Sequence, residues 1–188
     1  MKLFFVSLLL IASIACNSNK IPNNGLLSTA KNIKPSLSIT FDSSINKLVT
    51  NYFHLKDNFI TENDKLINFY ASEIQKNADS LNFAECKADS ITTELAKINA
   101  ESISAEMQAL LEEPNINSKR KSLYLVSEEV FDLLKVMQYD NQNVYKLYCP
   151  DALDGSGANW LSKSTDIRNP YLPKTMLTNG KVIDTLHF

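Results

Sequence analysis

Between Ile45 and Met137 the apolar residues recur three and four positions apart, and this spacing constrains the fold more than any motif in the chain. Ile45, Leu48, Val49, Tyr52, Leu55 and Phe59 fall on one helical face, because 3.6 residues per turn bring i, i+3, i+4 and i+7 together. Asp42, Ser43 or Ser44 can cap that helix by accepting backbone N–H bonds. Thr61-Glu62-Asn63-Asp64 reads as a break and a new cap. Ile67, Tyr70, Ala71, Ile74, Ala78 and Leu81 make a second stripe. A third runs through Ala88, Ile91, Leu95 and Ile98, drifts onto Ile103, Met107 and Leu110, and stops before Pro114. Leu123, Val126, Val130, Leu133, Leu134 and Met137 make the fourth. No strand alternation precedes Val144, and no internal repeat occurs. Short links between amphipathic helices predict an all-α fold, an up-down four-helix bundle over residues 42–140. With 44% hydrophobic residues in 188, the chain can bury one core and forms one domain.

The N-terminus has a different composition. Met1-Lys2 precedes an apolar run from Leu3 to Ala15, broken only by Ser7 and Ser13. That run of about 13 residues falls short of the roughly 20 a membrane helix needs, but it suits a signal-peptide core. Ser13-Ile14-Ala15-Cys16, followed by Asn17-Ser18-Asn19, resembles a bacterial lipoprotein processing site. The resemblance implies cleavage before Cys16 and acylation of its thiol and new amino group. Two or more acyl chains, at about 0.8 kcal/mol per buried CH2, give stable anchoring. An ordinary secretory signal cleaved nearby is the alternative, and both readings place the mature chain outside the cytoplasm. Residues 1–15 are therefore read as a signal peptide. Residues 16–41, rich in Asn and Ser with two prolines, are read as a flexible tether. The expected location is the cell envelope, lipid-anchored and periplasm-facing at the outer membrane, since Asn17-Ser18-Asn19 carries no acidic residue.

After Asp140 the helical period stops. Residues 141–188 read as a turn-rich cap, folded back on the bundle and carrying at most short strands. "NVYKLYC" alternates briefly, and turns are marked at Asp154-Gly155-Ser156-Gly157, Asn169-Pro170-Tyr171 and Asn179-Gly180. Trp160, the only tryptophan, is expected where the cap meets the bundle. Cys149 stands at the entry to the first turn, and Pro150 restricts it to extended geometry. Its chemistry stays open at this point: a metal ligand, a disulfide partner of Cys86, a reactive thiol or a packed small residue. Asp151 and Asp154 fit turn formation better than a hard-cation site, which would need more ligands. His54 falls beside its helical stripe, and His187 lies next to the last residue.

The cap resembles the bacterial DUF3347 family, a domain of unknown function. The family's pattern is Tyr, then Cys-Pro-Met-Ala, a glycine loop, Trp-Leu-Ser, Ile-x-Asn-Pro-Tyr and Met-Leu-x-Cys-Gly. This chain has Tyr145 and Tyr148, Cys149-Pro150, Gly155 and Gly157, and Trp160-Leu161-Ser162. It continues with Ile167-Arg168-Asn169-Pro170-Tyr171, Met176-Leu177 and Asn179-Gly180. The likeness extends upstream around Tyr52 to Asp57 and Arg120 to Ser127, and covers roughly residues 44–186. In that family the domain stands alone in exported proteins or is attached to copper and silver efflux adaptors, which implies soft-metal binding. Cys thiolate and Met thioether select Cu(I) or Ag(I). The chain departs from the pattern at two sulfur positions, with Asp151 for the Met after Cys-Pro and Asn179 for the Cys before Gly. Cys149 and Met176 remain as the candidate pair, expected within about 5 Å of each other if they hold a metal. Trp160, Asn169, Pro170 and Tyr171 are the motif residues expected to maintain the fold.

A formal charge of −2 offers no basic footprint for nucleic acid. No Gly-x-Ser-x-Gly, His-Glu-x-x-His, phosphate loop or Gly-x-Gly-x-x-Gly occurs, and an enzyme is not expected. Two functions follow. One is soft-metal binding, or accessory work in heavy-metal handling alongside an efflux adaptor or other envelope protein. The other is a structural or protein-interaction module whose metal site has degenerated.

Overall fold

Each long helix begins where a side chain accepts a backbone N–H. Ser38 accepts from Phe41 at 3.0 Å and starts α1, Ile39–Thr61. Asn63 accepts from Leu66 at 3.2 Å and starts α2, Asp64–Asp79. Asp89 accepts from Ile91 and Thr92, both at 3.0 Å, ahead of α3, Ser90–Glu112. Asn115 accepts from Ser118 at 3.0 Å ahead of α4, Ile116–Val136. Such caps satisfy donors that a helix leaves without internal partners. Glu62 takes a left-handed conformation with φ 53°, so α1 ends and α2 begins within two residues. The computed structural model describes residues 35–188. The expected signal peptide, Cys16 and the expected tether as far as residue 34 lie outside the described residues.

The folded part starts earlier than Asp42. Ser36–Leu37 (β1) pairs antiparallel with Cys86–Lys87 (β2), and Ser38 donates to Glu85 at 2.6 Å. Phe41 is buried and meets the Phe83 ring edge-on at 5.6 Å. The expected tether is therefore shortened, and strand pairing does precede Val144. Strands of two residues carry no readable alternation, which is why the sequence pattern missed them.

Helix α1 packs on α2, α2 on α3 and α3 on α4, and α4 returns against α1. The first, second and fourth stripes face the core, with Ile45, Leu48, Ile67, Ile74, Leu123 and Val130 all fully buried. The third does so only in part: Ile103, Met107 and Leu110 are buried as expected and are joined by Ala96 and Ala100, whereas Ile91, Leu95 and Ile98 are 72%, 47% and 48% exposed. The inner row keeps its own 4-3-4-3 spacing. In the outer row, Ile98 lies two residues beyond Ala96, about 200° around the helix at about 100° per residue.

Beyond α4 lies a three-stranded antiparallel sheet in the order β4-β3-β5: Tyr145–Cys149 (β3), Ala158–Ser162 (β4) and Lys181–Thr185 (β5). The protein is thus mostly helical with a small C-terminal sheet. Leu147 faces Trp160 across the β3–β4 pair, and β4 packs on α4 and α1. The outer edge of β4 is finished by side chains: the Leu161 N–H donates to the Tyr52 hydroxyl at 2.9 Å, and the Tyr171 hydroxyl donates to the Asn159 carbonyl. On β5 the register slips between Lys146–Asp184 and Leu147–Val182, leaving Ile183 as a bulge.

Candidate functional site

Cys149 ends β3 opposite Ala158 and is fully buried on the same side of the strand as Leu147. After Pro150 the chain makes one tight turn, Ala152–Gly155, with Leu153 and Asp154 at φ 50° and 57°. Asp154 thus acts as a turn residue, of the kind that tolerates left-handed backbone. Gly157 follows at φ 78°, and a Cβ there would lie 2.8 Å from the Tyr148 ring. Only glycine permits both that backbone and that approach.

Met176 belongs to a surface turn and is 42% exposed. Its sulfur accepts from Asn179 Nδ2 at 3.4 Å, and the same amide donates to Asp151 at 2.6 Å. Positions 151, 176 and 179 therefore come together on the surface, while Cys149 lies within the core. Two sulfurs that share a metal need one accessible point between them. Here Cys149 is enclosed in the core, while Met176 is partly exposed and its sulfur accepts from an amide. Cys86 and Cys149 are both buried free thiols, and no bridge joins them. His54 is exposed and stacks on Tyr70 at 4.9 Å, and His187 is exposed past β5. Among the described residues, no group of three or more His, Cys, Asp or Glu is placed to hold a metal.

The motif residues form a latch between cap and helices. Trp160 is fully buried, with its ring edge-on to Tyr171 at 6.1 Å. A Cβ on Gly180 would sit 2.8 Å from that indole, so glycine is required at the close approach. Asn169 is also fully buried; its Oδ1 accepts from the Tyr171 and Leu172 N–H groups at 2.9 and 3.2 Å, and its Nδ2 donates to the Asn179 carbonyl. The Pro170 carbonyl accepts from Arg120 Nε at 3.1 Å. Arg120, 6% exposed, spends its other donors on Asn117 at 2.7 Å and Glu62 at 3.0 Å. Lys174 pairs with the second oxygen of Glu62. Lys174 and Arg120 together hold the Glu62 carboxyl below its ordinary range.

A second set of bonds crosses the same junction. Tyr52 accepts from Leu161 N–H and donates to Ser127 Oγ at 2.6 Å; Ser127 donates to the Leu123 carbonyl at 2.5 Å. Burial pushes both the Tyr52 and the Tyr171 hydroxyls well above the ordinary tyrosine range, so both stay protonated donors. Glu128 accepts from Asn159 at 2.5 Å and Lys146 at 2.7 Å. The sequence pattern put Tyr52 on the first stripe and Glu62 in the break before α2, but it assigned no polar contact to Tyr52, Glu62, Arg120 or Ser127. Ser127 carried a signal, a hydroxyl set between Leu123, Val126 and Val130 on an apolar face. The pairing of Glu62 with Lys174 carried none, because it joins distant segments.

Fold and junction define a class: a mainly helical domain closed by a small sheet, with buried polar bonds fastening the two. The chain belongs to the family described as Protein of unknown function (DUF3347), whose sequence profile matches residues 48–142. The matched stretch runs from within α1 to just before β3, so it takes in Tyr52 and Arg120 but ends ahead of Cys149, Trp160 and Met176. No curated protein and no solved structure matches the chain.

Proposed function

We propose that this protein is a non-catalytic, membrane-tethered module of the cell envelope that acts by binding another protein, and that its soft-metal site is degenerate. One observation carries this reading. Asn179 joins Asp151 to Met176 by hydrogen bonds, at three positions where the resembling pattern carries sulfur. A carboxylate and an amide are hard donors that do not select Cu(I) or Ag(I). Cys149, the remaining sulfur of the pattern, is fully buried, whereas Met176 is partly exposed. The four long helices form an up-down bundle in this reading, supported by their successive packing. Cys16 supplies the lipid anchor, and the domain faces the periplasm from the outer membrane. An efflux adaptor or another envelope protein is the partner class that the family's company suggests.

Silver titration tests the reading. Wild type and Cys149→Ser should bind Ag(I) equally. The double variant Asp151→Met with Asn179→Cys should gain a stoichiometric site, since thioether, thioether and thiolate would then stand together. Tight silver binding by wild type that Cys149→Ser removes would overturn it. Mass spectrometry of membrane-extracted protein checks the anchor: Cys16 should carry acyl chains, and Cys16→Ser should release the chain from the membrane.

A further inference from the structure

Helix α3 is apolar on two sides, and among the described residues only the inner side is packed. The inner row fills the core. The outer row is Ile91, Leu95, Ile98, Ser102, Ala105 and Ala109, spaced 4-3-4-3-4. The first three are exposed as given above; Ala105 and Ala109 are exposed and Ser102 half-buried. A single buried face gives one such row. A second row at the 3.5-residue average is the seam that two helices share in a coiled coil. Its side chains are also graded, bulky at the N-terminal end of α3 and small at the C-terminal end.

That gradient selects the partner. We propose that the outer face of α3 pairs antiparallel with α3 of a second copy, about a two-fold axis that crosses the outer face level with position 100. This rests on the reading of the protein as an interaction module. In that register Ile91 meets Ala109 of the second copy, Leu95 meets Ala105 and Ile98 meets Ser102. Each bulky residue faces a small one, as interdigitating layers require. A parallel pair would set Ile91 against Ile91 and leave the alanine end gapped. The flanks agree. Glu94 faces Gln108 of the second copy, so that carboxylate meets a polar donor. Two Glu101 side chains meet at the axis, but Lys97 lies 3.9 Å from Glu101 in its own helix and is within reach of both. A two-fold contact of this kind closes on itself and stops at a dimer. One helix of 23 residues offers a face about 34 Å long. That is small for a stable dimer in dilute solution, and it favours pairing where chains are concentrated on one surface.

The test is cysteine cross-linking of the full chain in membranes of a bacterial host. The 101 positions lie about 3 Å apart along the axis, and the 108 positions about 24 Å apart. Oxidation should therefore raise the dimer band of Glu101→Cys several-fold over wild type and leave Gln108→Cys at the wild-type level. Adding Leu95→Glu to Glu101→Cys should abolish the band. Leu95 is exposed, so helicity by circular dichroism should not change. Equal bands for both cysteine variants, or none for either, overturns the proposal. So does a photo-cross-linker at Ile98 that captures a different protein; that result would leave the interaction-module reading standing and remove only self-pairing.

Discussion

Leu123, Val126, Val130 and Leu134 all contribute to the helical core in the same way, by burying aliphatic surface among many similar neighbours. In the cap each key residue has a separate task. Trp160 fills the junction, Asn169 satisfies the backbone of its turn, and Gly180 makes room for the indole. The helical half is thus held by many weak, like contributions, and the cap by a few unlike ones. A lost methyl in a large core is shared among its neighbours, whereas a lost latch residue has no substitute.

The sharpest break in this comparison comes from Trp160→Ala. Full burial predicts a loss of about 3–5 kcal/mol in denaturant unfolding, against about 0.5–1.5 kcal/mol for Ile103→Val in the helical core. A loss below about 1 kcal/mol would show that the cap does not depend on the indole. Among the described residues the Trp160 Nε1 has no hydrogen-bond partner, so Trp160→Phe should lose packing alone and cost less. Tyr52→Phe comes next. It leaves the Leu161 N–H and the Ser127 hydroxyl without their shared partner, for an expected cost of about 1–3 kcal/mol. Hydrogen exchange should report this as faster exchange at Leu161, and unchanged exchange there would dissolve the link between α1 and β4. The smallest effect is at Glu62. Its carboxyl is lowered by Lys174 first and Arg120 second, so the fold favours the ionised form. That contribution is present above the ordinary value of 4.5 and is lost as pH falls through the lowered folded value. Glu62→Gln should flatten the acid limb of a stability–pH curve slightly, since Glu62 is partly solvent-screened. Identical acid limbs for both proteins would show that the ion pairs do not fasten the cap.

The two halves also differ in how much of each could be read from the chain. The stripes of α1, α2 and α4 were legible because one face of each is apolar, and periodicity marks such a face. Thr61 to Asp64 was legible as a break because Asn63 is a good cap. In α3 the same method fails for a physical reason: with apolar rows on both sides, spacing cannot tell which row is buried. Strand β3 was legible in the brief alternation of NVYKLYC, but its pairing with residues 162 and 185 was not, because no local pattern fixes such distant partners. The turns at Asp154 to Gly157 and at Asn169-Pro170 were marked, but no local pattern fixes the path between them, which buries Cys149 and leaves Met176 partly exposed.

The two edges of the sheet have a consequence for how this protein behaves at high concentration. Unpaired strand edges template further strands, and that is how folded chains begin to aggregate. On β4 the tyrosine hydroxyls occupy the groups a new strand would need. On β5 the Ile183 bulge bends the ladder out of register, with Lys181 and Asp184 on either side adding charge. Fibril-like growth is therefore blocked on one side and disfavoured on the other. A chain packed densely on a surface can associate through its helices without its sheets fusing.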